Sequence, residues 1–183
     1  METKKYKLTE ETINVNGKTL YRIEALKDFN DVKQGDKGGF IENEKNLSQS
    51  GDCWVYDDAE VFGEAKVYNN ARVYHNAKVC GYARICGDAE VCGDTWVFDN
   101  AEVFGKAKIR DKAMVYDNAK VYGNSEVYDN AKVYGNTKVY GNAVVFNNAQ
   151  VYGLTKVFGY ARVCGDAKVY GNEKIGGNTV VCD

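Results

Sequence analysis

An aliphatic residue recurs at every sixth position of this 183-residue chain, from Val55 to Val181, in 22 copies without an insertion. Two positions before each aliphatic residue lies a small side chain, most often Ala, and a polar residue separates the two. An aromatic residue or Cys follows, and two turn formers such as Gly-Asn or Asp-Asn complete the unit. Because side chains alternate between the two faces of a strand, this pattern places Ala and Val inside and the polar and aromatic residues outside.

Each unit therefore predicts a short strand followed by a tight turn, since Gly, Asn and Asp accept the left-handed backbone that such corners need. A series of β-hairpins would reverse the chain direction, and it would not require the same phrase on both arms. A solenoid, in which every repeat stacks on the one before it, explains the strict register better.

The consensus phrase V-Y-G-N-A-K resembles the hexapeptide-repeat pattern, which is an aliphatic residue, a free position, two turn residues, a small residue and a free position. The resemblance covers residues 53–183. It implies an all-β fold, a single-stranded left-handed parallel β-helix of triangular section with three hexapeptides per coil. With 22 copies, about seven coils are expected. The handedness and the count of three come from the family, because periodicity alone shows neither.

Residues 1–52 do not repeat and form a separate N-terminal segment. The stretch INVNGKTLYRI predicts a β-hairpin with Asn16-Gly17 as its turn. Because a β-solenoid has open strand edges at its ends, we expect this β-rich segment to cap the first coil. The stretches LTEETINVNGKTLYRIEALKDF and GDKGGFIENEKNLS also resemble the leader of uncharacterised hexapeptide proteins from bacteria and their phages. That resemblance implies a phage or prophage setting and no particular activity.

The repeat is still in register at the last residue, so the final coil is expected to present an unpaired strand edge. Glu173 is the one charged residue among the small inward positions, and burying it inside the rod would be costly. We therefore expect a second subunit to cover this end in an end-to-end homodimer, through Glu173, Val180, Val181 and Cys182. Side-by-side trimerisation, the habit of the hexapeptide enzymes, is the alternative.

With three hexapeptides per coil, the outward residues fall on three faces of the rod. Face A starts at Trp54, face B at Glu60 and face C at Lys66. An apolar patch is predicted on neighbouring coils of face B: Trp96, Phe98, Met114 and Tyr116. Trp, Tyr and Met are typical of interfaces, so the patch indicates a protein partner or self-association. Ordinary packing of neighbouring side chains is the alternative.

Face C is basic, and its lysines run beside a row of aromatic residues. The candidates for binding a small anion, such as a nucleotide, are Lys120, Lys138 and Lys156 with Tyr122 and Tyr140. The alternative is a solvated face whose lysine stems lie along the tyrosine rings.

The six cysteines and the single His form no CxxC pair and no ligand cluster, so we predict no metal and no cofactor. Three cysteines fall on three different faces: Cys80, Cys86 and Cys92. Cys164 and Cys182 are neighbours on face A and could pair. A role as small apolar filler in the aromatic row is favoured for them, and all six are expected to stay reduced.

Many hexapeptide proteins are acyltransferases, and those that resemble the trimeric acetyltransferases take a catalytic His from loops that interrupt the coils. The present repeat has no interruption, and its one candidate base is His75, at a turn position. Asp57 and Asp94 flank this corner on neighbouring coils, but no pocket is expected there. A structural role in the turn is the simpler interpretation, and an acyltransferase that uses His75 is the alternative.

Charge and composition narrow the remaining classes. The 24 basic and 26 acidic residues give a net charge of −2, which makes nucleic acid an improbable partner. No apolar run is long enough to cross a membrane, and METKKYKLTEET lacks the apolar core of a signal peptide, so the cytoplasm is the expected location. The sequence thus favours a non-catalytic, oligomeric protein-interaction module. Given the phage-like leader, its partner is expected to be a host protein, for example a defence component that it inhibits.

Overall fold

The computed structural model describes residues 4–183, which form 25 strands and one short 3₁₀ helix, Glu44–Asn46. Three longer strands come first: β1 (Tyr6–Val15), β2 (Lys18–Ala25) and β3 (Lys37–Ile41). The short strands of the repeat are β4 (Trp54–Val55), β5 (Glu60–Val61), β6 (Lys66–Val67), β7 (Arg72–Val73), β8 (Lys78–Val79), β9 (Arg84–Ile85), β10 (Glu90–Val91), β11 (Trp96–Val97), β12 (Glu102–Val103), β13 (Lys108–Ile109), β14 (Met114–Val115), β15 (Lys120–Val121), β16 (Glu126–Val127), β17 (Lys132–Val133), β18 (Lys138–Val139), β19 (Val144–Val145), β20 (Gln150–Val151), β21 (Lys156–Val157), β22 (Arg162–Cys164), β23 (Lys168–Val169), β24 (Lys174–Ile175) and β25 (Val180–Cys182). Among residues 4–183, no helix is long and apolar enough to cross a bilayer.

The repeat strands stack into three parallel sheets, each formed by every third strand. The face A sheet runs from β4 to β25 through eight strands, and the face C sheet runs from β6 to β24 through seven. The face B sheet runs from β5 to β23 and continues into β3, β2 and β1. Residues 18 apart are direct partners, as in Trp96 with Met114. Three parallel sheets with this spacing fit a triangular left-handed β-helix, so the predicted fold is confirmed.

The core is a stack of layers of small and β-branched side chains. The inward Val, Ile and Ala residues from Val55 to Val163 are fully buried, as the alternation predicts, whereas Ile175 and Val181 on the last coil are partly exposed. Several polar residues at inward positions bond back to their own turn, and the buried hydroxyl of Thr95, which has no partner, is an exception. The hydroxyl of Thr137 donates to the carbonyl of Tyr134 at 2.7 Å. Thr155 does the same to Tyr152, also at 2.7 Å, and each thereby avoids an unsatisfied buried hydroxyl.

The corners explain the turn residues of the repeat. Their first residue has a positive φ, whether it is Gly141 at 75°, Asn147 at 56° or His75 at 60°. Corners also stack closely, because a Cβ on Gly141 would lie 3.0 Å from the backbone N of Gly159 on the next coil. The left-handed backbone and the close approach together favour Gly at this position.

The N-terminal segment folds against the first coil. Strands β1 and β2 form an antiparallel hairpin that turns at Asn16-Gly17, and β3 pairs in parallel with β5. The guanidinium of Arg22 fastens the hairpin to the coil, because it donates to the carbonyls of Gly38 and Asp57, both at 2.9 Å. It also pairs with the carboxylate of Asp58 at 3.1 Å. This segment therefore extends the face B sheet beyond the first coil.

A buried lysine, Lys5, lies at the N-terminal end of the rod. Lys5 is only 1% exposed, and its ammonium donates to the carbonyl oxygens of Cys53 at 2.8 Å and Gly51 at 3.2 Å. It also lies 5.2 Å from the ring centre of Phe29. Burial lowers the pKa of Lys5, an effect that the neighbouring Cys53 partly opposes.

Cys164 and Cys182 form a disulfide between neighbouring coils of face A, with Cα atoms 4.6 Å apart. The interpretation of these two residues as reduced apolar filler was therefore wrong. Adjacent coils bring identical positions of the repeat within the Cα separation of a disulfide, so two cysteines 18 residues apart can pair without backbone movement. Four cysteines are free: Cys53, Cys80, Cys86 and Cys92.

Candidate partner-binding surface

The aromatic residues of the repeat stack on one another along the rod. On face B, the ring centres of Tyr116, Tyr134 and Tyr152 follow at 4.8 Å intervals, and the planes are nearly parallel. On face C, Tyr122 and Tyr140 stack at 5.0 Å. Face A has a shorter ladder because Cys and Arg replace the ring on several coils. Since each ring covers the next, the ladders offer mainly ring edges to solvent.

The four residues of the face B patch lie together, as the sequence predicts. Trp96 and Met114 are direct partners on neighbouring strands, and Phe98 stacks on Tyr116 at 4.8 Å. The Trp96 ring meets Phe98 edge to face at 6.4 Å, and the ammonium of Lys78 lies 5.4 Å from the Trp96 ring centre. All four patch residues are half-buried by these neighbours. Much of their apolar surface is therefore already used within the chain.

The lysines of face C form a ladder of their own. Lys138 is the direct partner of Lys120 on one side and of Lys156 on the other, and Lys174 follows Lys156. Lys120 pairs with Glu102 at 3.1 Å. The cation–π contacts of residues 4–183 all lie elsewhere, so these lysines run beside the rings of Tyr122 and Tyr140 rather than over them.

Exposed apolar side chains concentrate on the last two coils. Of the six large hydrophobic residues that are exposed among residues 4–183, four lie between residues 154 and 180. They are Leu154 (55% exposed), Tyr160 (65%), Tyr170 (57%) and Val180 (61%). These side chains lie at different corners and faces of the rod, and together they make its last two coils a candidate contact region.

The sequence pattern did not single out Leu154 and Tyr160, because the predicted binding residues were chosen from strand positions and these two residues lie at corners. Both occupy the second turn position, where most repeats have Asn, Asp or another polar residue. A large apolar residue at that position points directly away from the rod. The departure from the consensus was therefore a usable indication of an exposed site.

The predicted oligomerisation residues lie on the last coil. Strands β23, β24 and β25 are the final members of their sheets, and Glu173 is exposed there. Val181 is half-buried, whereas Val180 projects from face A. The Glu173 carboxylate therefore has access to solvent and is not enclosed in the core.

His75 lies exposed on a corner and lacks the partners that a catalytic base needs. Its backbone N–H donates to the Asp57 carboxylate at 2.9 Å, and its ring packs against Tyr74 at 5.0 Å. Asp94 accepts from the side chain of Asn76 at 3.0 Å. Both carboxylates are thus engaged by other groups, and among the hydrogen bonds of residues 4–183 none reaches the imidazole.

An open groove runs along this corner, although no pocket was expected there. Its volume is about 690 Å³, and it is lined by polar residues that include His75, Asp94, Asp111 and Lys112. Asp111 accepts weakly from the backbone N–H of Asp129 at 3.4 Å, which is the same contact that Asp57 makes to His75. The groove is formed by the same corner repeated on successive coils. It is open to solvent and would not enclose a substrate.

Cys80 and Cys92, two of the cysteines outside the disulfide, are not activated. Burial raises the pKa of Cys80 to about 11, and nearby Asp99 and Glu60 add to this effect. Burial also raises the pKa of Cys92. Both are therefore neutral thiols at pH 7, and thiols are poor nucleophiles. Within the described part of the chain, no three metal-binding side chains converge.

The coil geometry and the repeat give this chain the fold of a hexapeptide-repeat β-helix. The sequence model of the YdcK beta solenoid repeat matches residues 65–81 and 138–153. A segment of 38 residues is 53% identical to a protein of Escherichia coli (strain K12) named "Uncharacterized acetyltransferase YdcK". That segment is 21% of the present chain and 12% of the E. coli protein, so the similarity supports the repeat fold.

Proposed function

We propose that this protein is a non-catalytic interaction module, a rigid β-helix that presents its outer surface to another protein. The observation that carries the proposal is the concentration of exposed apolar side chains on the last two coils. Leu154, Tyr160 and Tyr170 are each more than half exposed, on a rod whose other large apolar residues are mostly covered. Apolar anchors of this kind supply most of the binding energy in protein interfaces.

Self-association is part of the same proposal. Exposed Glu173 and Val180 and half-buried Val181, beside and within strands β24 and β25, would supply the contact with a second copy. The proposed assembly is an end-to-end dimer through Glu173, Val180, Val181 and Cys182, with a side-by-side trimer as the alternative. Light scattering coupled to size exclusion distinguishes the two, and a monomer at micromolar concentration would exclude both.

The partner we propose is a host protein, for example a defence component that a phage or prophage protein inhibits. Support comes from the resemblance of the N-terminal segment to leaders of phage hexapeptide proteins. The cytoplasm remains the proposed location, although a disulfide such as Cys164–Cys182 is uncommon there.

An acyltransferase that uses His75 is the competing function. The name of the E. coli relative contains the word acetyltransferase, but the aligned segment is too short to carry an activity. The imidazole has no orienting partner among the described residues, and its groove is open. A general base needs both an orienting group and a site for the reacting atom. The geometry therefore favours binding over catalysis.

The experiment is affinity purification from an extract of the source organism, with mass spectrometry of the retained proteins and small molecules. We expect a protein in stoichiometric amount. The face B patch is tested in the same experiment by the double variant Trp96→Glu with Met114→Lys, which loses the partner if that patch is the interface. Retention of a small molecule without a protein would argue against the proposal.

A further inference from the structure

The lysine ladder of face C lacks counter-ions along its last three coils. Lys138, Lys156 and Lys174 are stacked as direct strand partners, and like charges in that relation destabilise a sheet. The ion pairs formed by residues 4–183 do not include any of these three lysines. Lys120, one coil earlier, pairs with Glu102. An anion that bound the last three coils would relieve a repulsion already built into the fold.

Two exposed apolar side chains border the same lysines. Leu154 is at the corner that enters strand β21, and Tyr160 is at the corner that leaves it, with Lys156 between them. Both are more than half exposed. We call these five residues the face C strip: Lys138, Lys156, Lys174, Leu154 and Tyr160. A ligand that fits the strip must offer negative charge in the middle and apolar groups at the edges.

We propose that the face C strip binds an acidic polypeptide segment in which apolar side chains alternate with carboxylates. The inference rests on the proposed function, because it names the chemistry of the partner and the part of the surface that receives it. Carboxylates pair with the three lysines, and apolar side chains of the segment pack on Leu154 and Tyr160. Complementary charge sets the orientation of the segment and increases its association rate.

Nucleic acids and inorganic polyanions fit the strip less well. Proteins that bind single strands stack the bases on free aromatic faces, whereas Tyr122, Tyr140 and Phe158 on face C are stacked on one another at 5.0 and 5.4 Å. Polyphosphate has no apolar group to place on Leu154 or Tyr160.

The test uses the full-length protein and a fluorescent random copolymer of glutamate and tyrosine, with polyphosphate and single-stranded oligothymidine as competing probes. The double variant Lys138→Gln with Lys156→Gln is compared with Lys132→Gln and Lys168→Gln. The control pair removes the same charge from face B at similar heights on the rod. We expect about a tenfold loss of affinity for the copolymer in the face C variant and less than about a twofold loss in the control.

A second comparison tests the apolar edges. Leu154→Ser with Tyr160→Ser should weaken binding of the copolymer more than binding of polyglutamate, whereas Tyr82→Ser, at an exposed corner far from the strip, should change neither. Equal losses in the face B and face C lysine variants would overturn the inference, because attraction would then be non-specific. Polyphosphate or oligothymidine that binds more tightly than the copolymer through the same lysines would overturn it as well.

The inference and the proposed function fail in different ways. If a protein is retained from the extract equally well by the wild type and by the Lys138→Gln, Lys156→Gln variant, the inference is wrong and the proposed function stands. If the copolymer binds the strip but the extract provides no protein partner, the proposed function is wrong instead. Circular dichroism of each variant confirms that the fold is intact.

Discussion

At the scale of single residues, the corners of the rod account for much of the sequence. Each corner needs one residue in the left-handed backbone conformation. Gly, Asn or Asp occupies that position at most corners, and His75 occupies it once, at φ 60°. The carboxylate of Asp57 also accepts a hydrogen bond from the backbone N–H of His75, at the same corner of the next coil. His75 thus fits the corner for conformational reasons that require no catalytic role.

The variant His75→Asn should therefore leave both folding and partner binding unchanged. Asn147 occupies the equivalent position of the same corner four coils later, at φ 56°. We expect the free energy of unfolding to change by less than about 0.5 kcal/mol. The control His75→Val should lose about 1–3 kcal/mol, because a β-branched residue is strained at positive φ. Loss of the biological effect in the folded Asn variant would instead favour the acyltransferase.

Glu42 makes the N-terminal segment sensitive to acid. Its carboxylate accepts from the ammonium of Lys18 at 2.8 Å and from the backbone N–H of Gly63 at 2.6 Å. The contact with Lys18, followed by the Gly63 N–H, lowers the pKa of Glu42 against the opposing effect of burial. The stabilisation is therefore complete above the ordinary pKa of a glutamate and is lost as the pH falls through the lower folded value.

The variant Glu42→Gln should show a weaker dependence of the melting temperature on pH below about pH 5 than the wild type. Above that range the variant should be the less stable of the two, since an amide pairs less strongly with Lys18. Melting curves at several pH values measure both effects. Parallel curves for the two proteins across the acidic range would contradict this account of Glu42.

At the scale of elements, the short strands depend on their neighbours along the rod. A strand of two residues has few hydrogen bonds, and the stacked rings on its outer side add contacts between coils. Tyr134 stacks on Tyr116 and on Tyr152, both at 4.8 Å. Replacing one ring of a ladder therefore removes two aromatic contacts.

The variant Tyr134→Ala should lower the free energy of unfolding by ~1–3 kcal/mol, from two stacked pairs of about 0.5–1.5 kcal/mol each. Urea denaturation measures the change. Tyr82→Ala is the matched control, because Tyr82 is 64% exposed at a corner and forms no ring stack, and it should change stability by less than about 0.5 kcal/mol. Equal effects of the two substitutions would mean that the ladders do not stabilise the rod.

The elements also show which features could be predicted from the sequence. The period and the inward Val and Ala residues predict the strands, since a one-residue slip would expose the whole core row. The positions of Trp96 and Met114 as partners follow from the same register. The register does not predict that Trp96 and Met114 are half-buried, because their exposure depends on how the rings of Phe98 and Tyr116 are oriented. The disulfide was not predicted for a similar reason, since the register brings Cys164 beside Cys182 without deciding whether they bond.

At the scale of the whole molecule, the rod has two different ends. The N-terminal segment covers the first coil through β3, Arg22 and the buried Lys5. The last coils carry the exposed apolar residues and the unpaired lysines. The surface of the regular middle is mostly polar side chains and ring edges. The proposed binding activity therefore belongs to the C-terminal third, which the sequence indicated through Glu173, the final strands and the face C lysines Lys138 and Lys156.

The most direct test of the central claim is quantitative affinity purification from the source organism with three baits: wild type, Leu154→Ser with Tyr160→Ser, and the control Tyr82→Ser. The account predicts a protein that is retained stoichiometrically by the wild type and the Tyr82 variant and is lost from the Leu154 and Tyr160 variant. Retention of the same proteins in equal amounts by all three baits would contradict it.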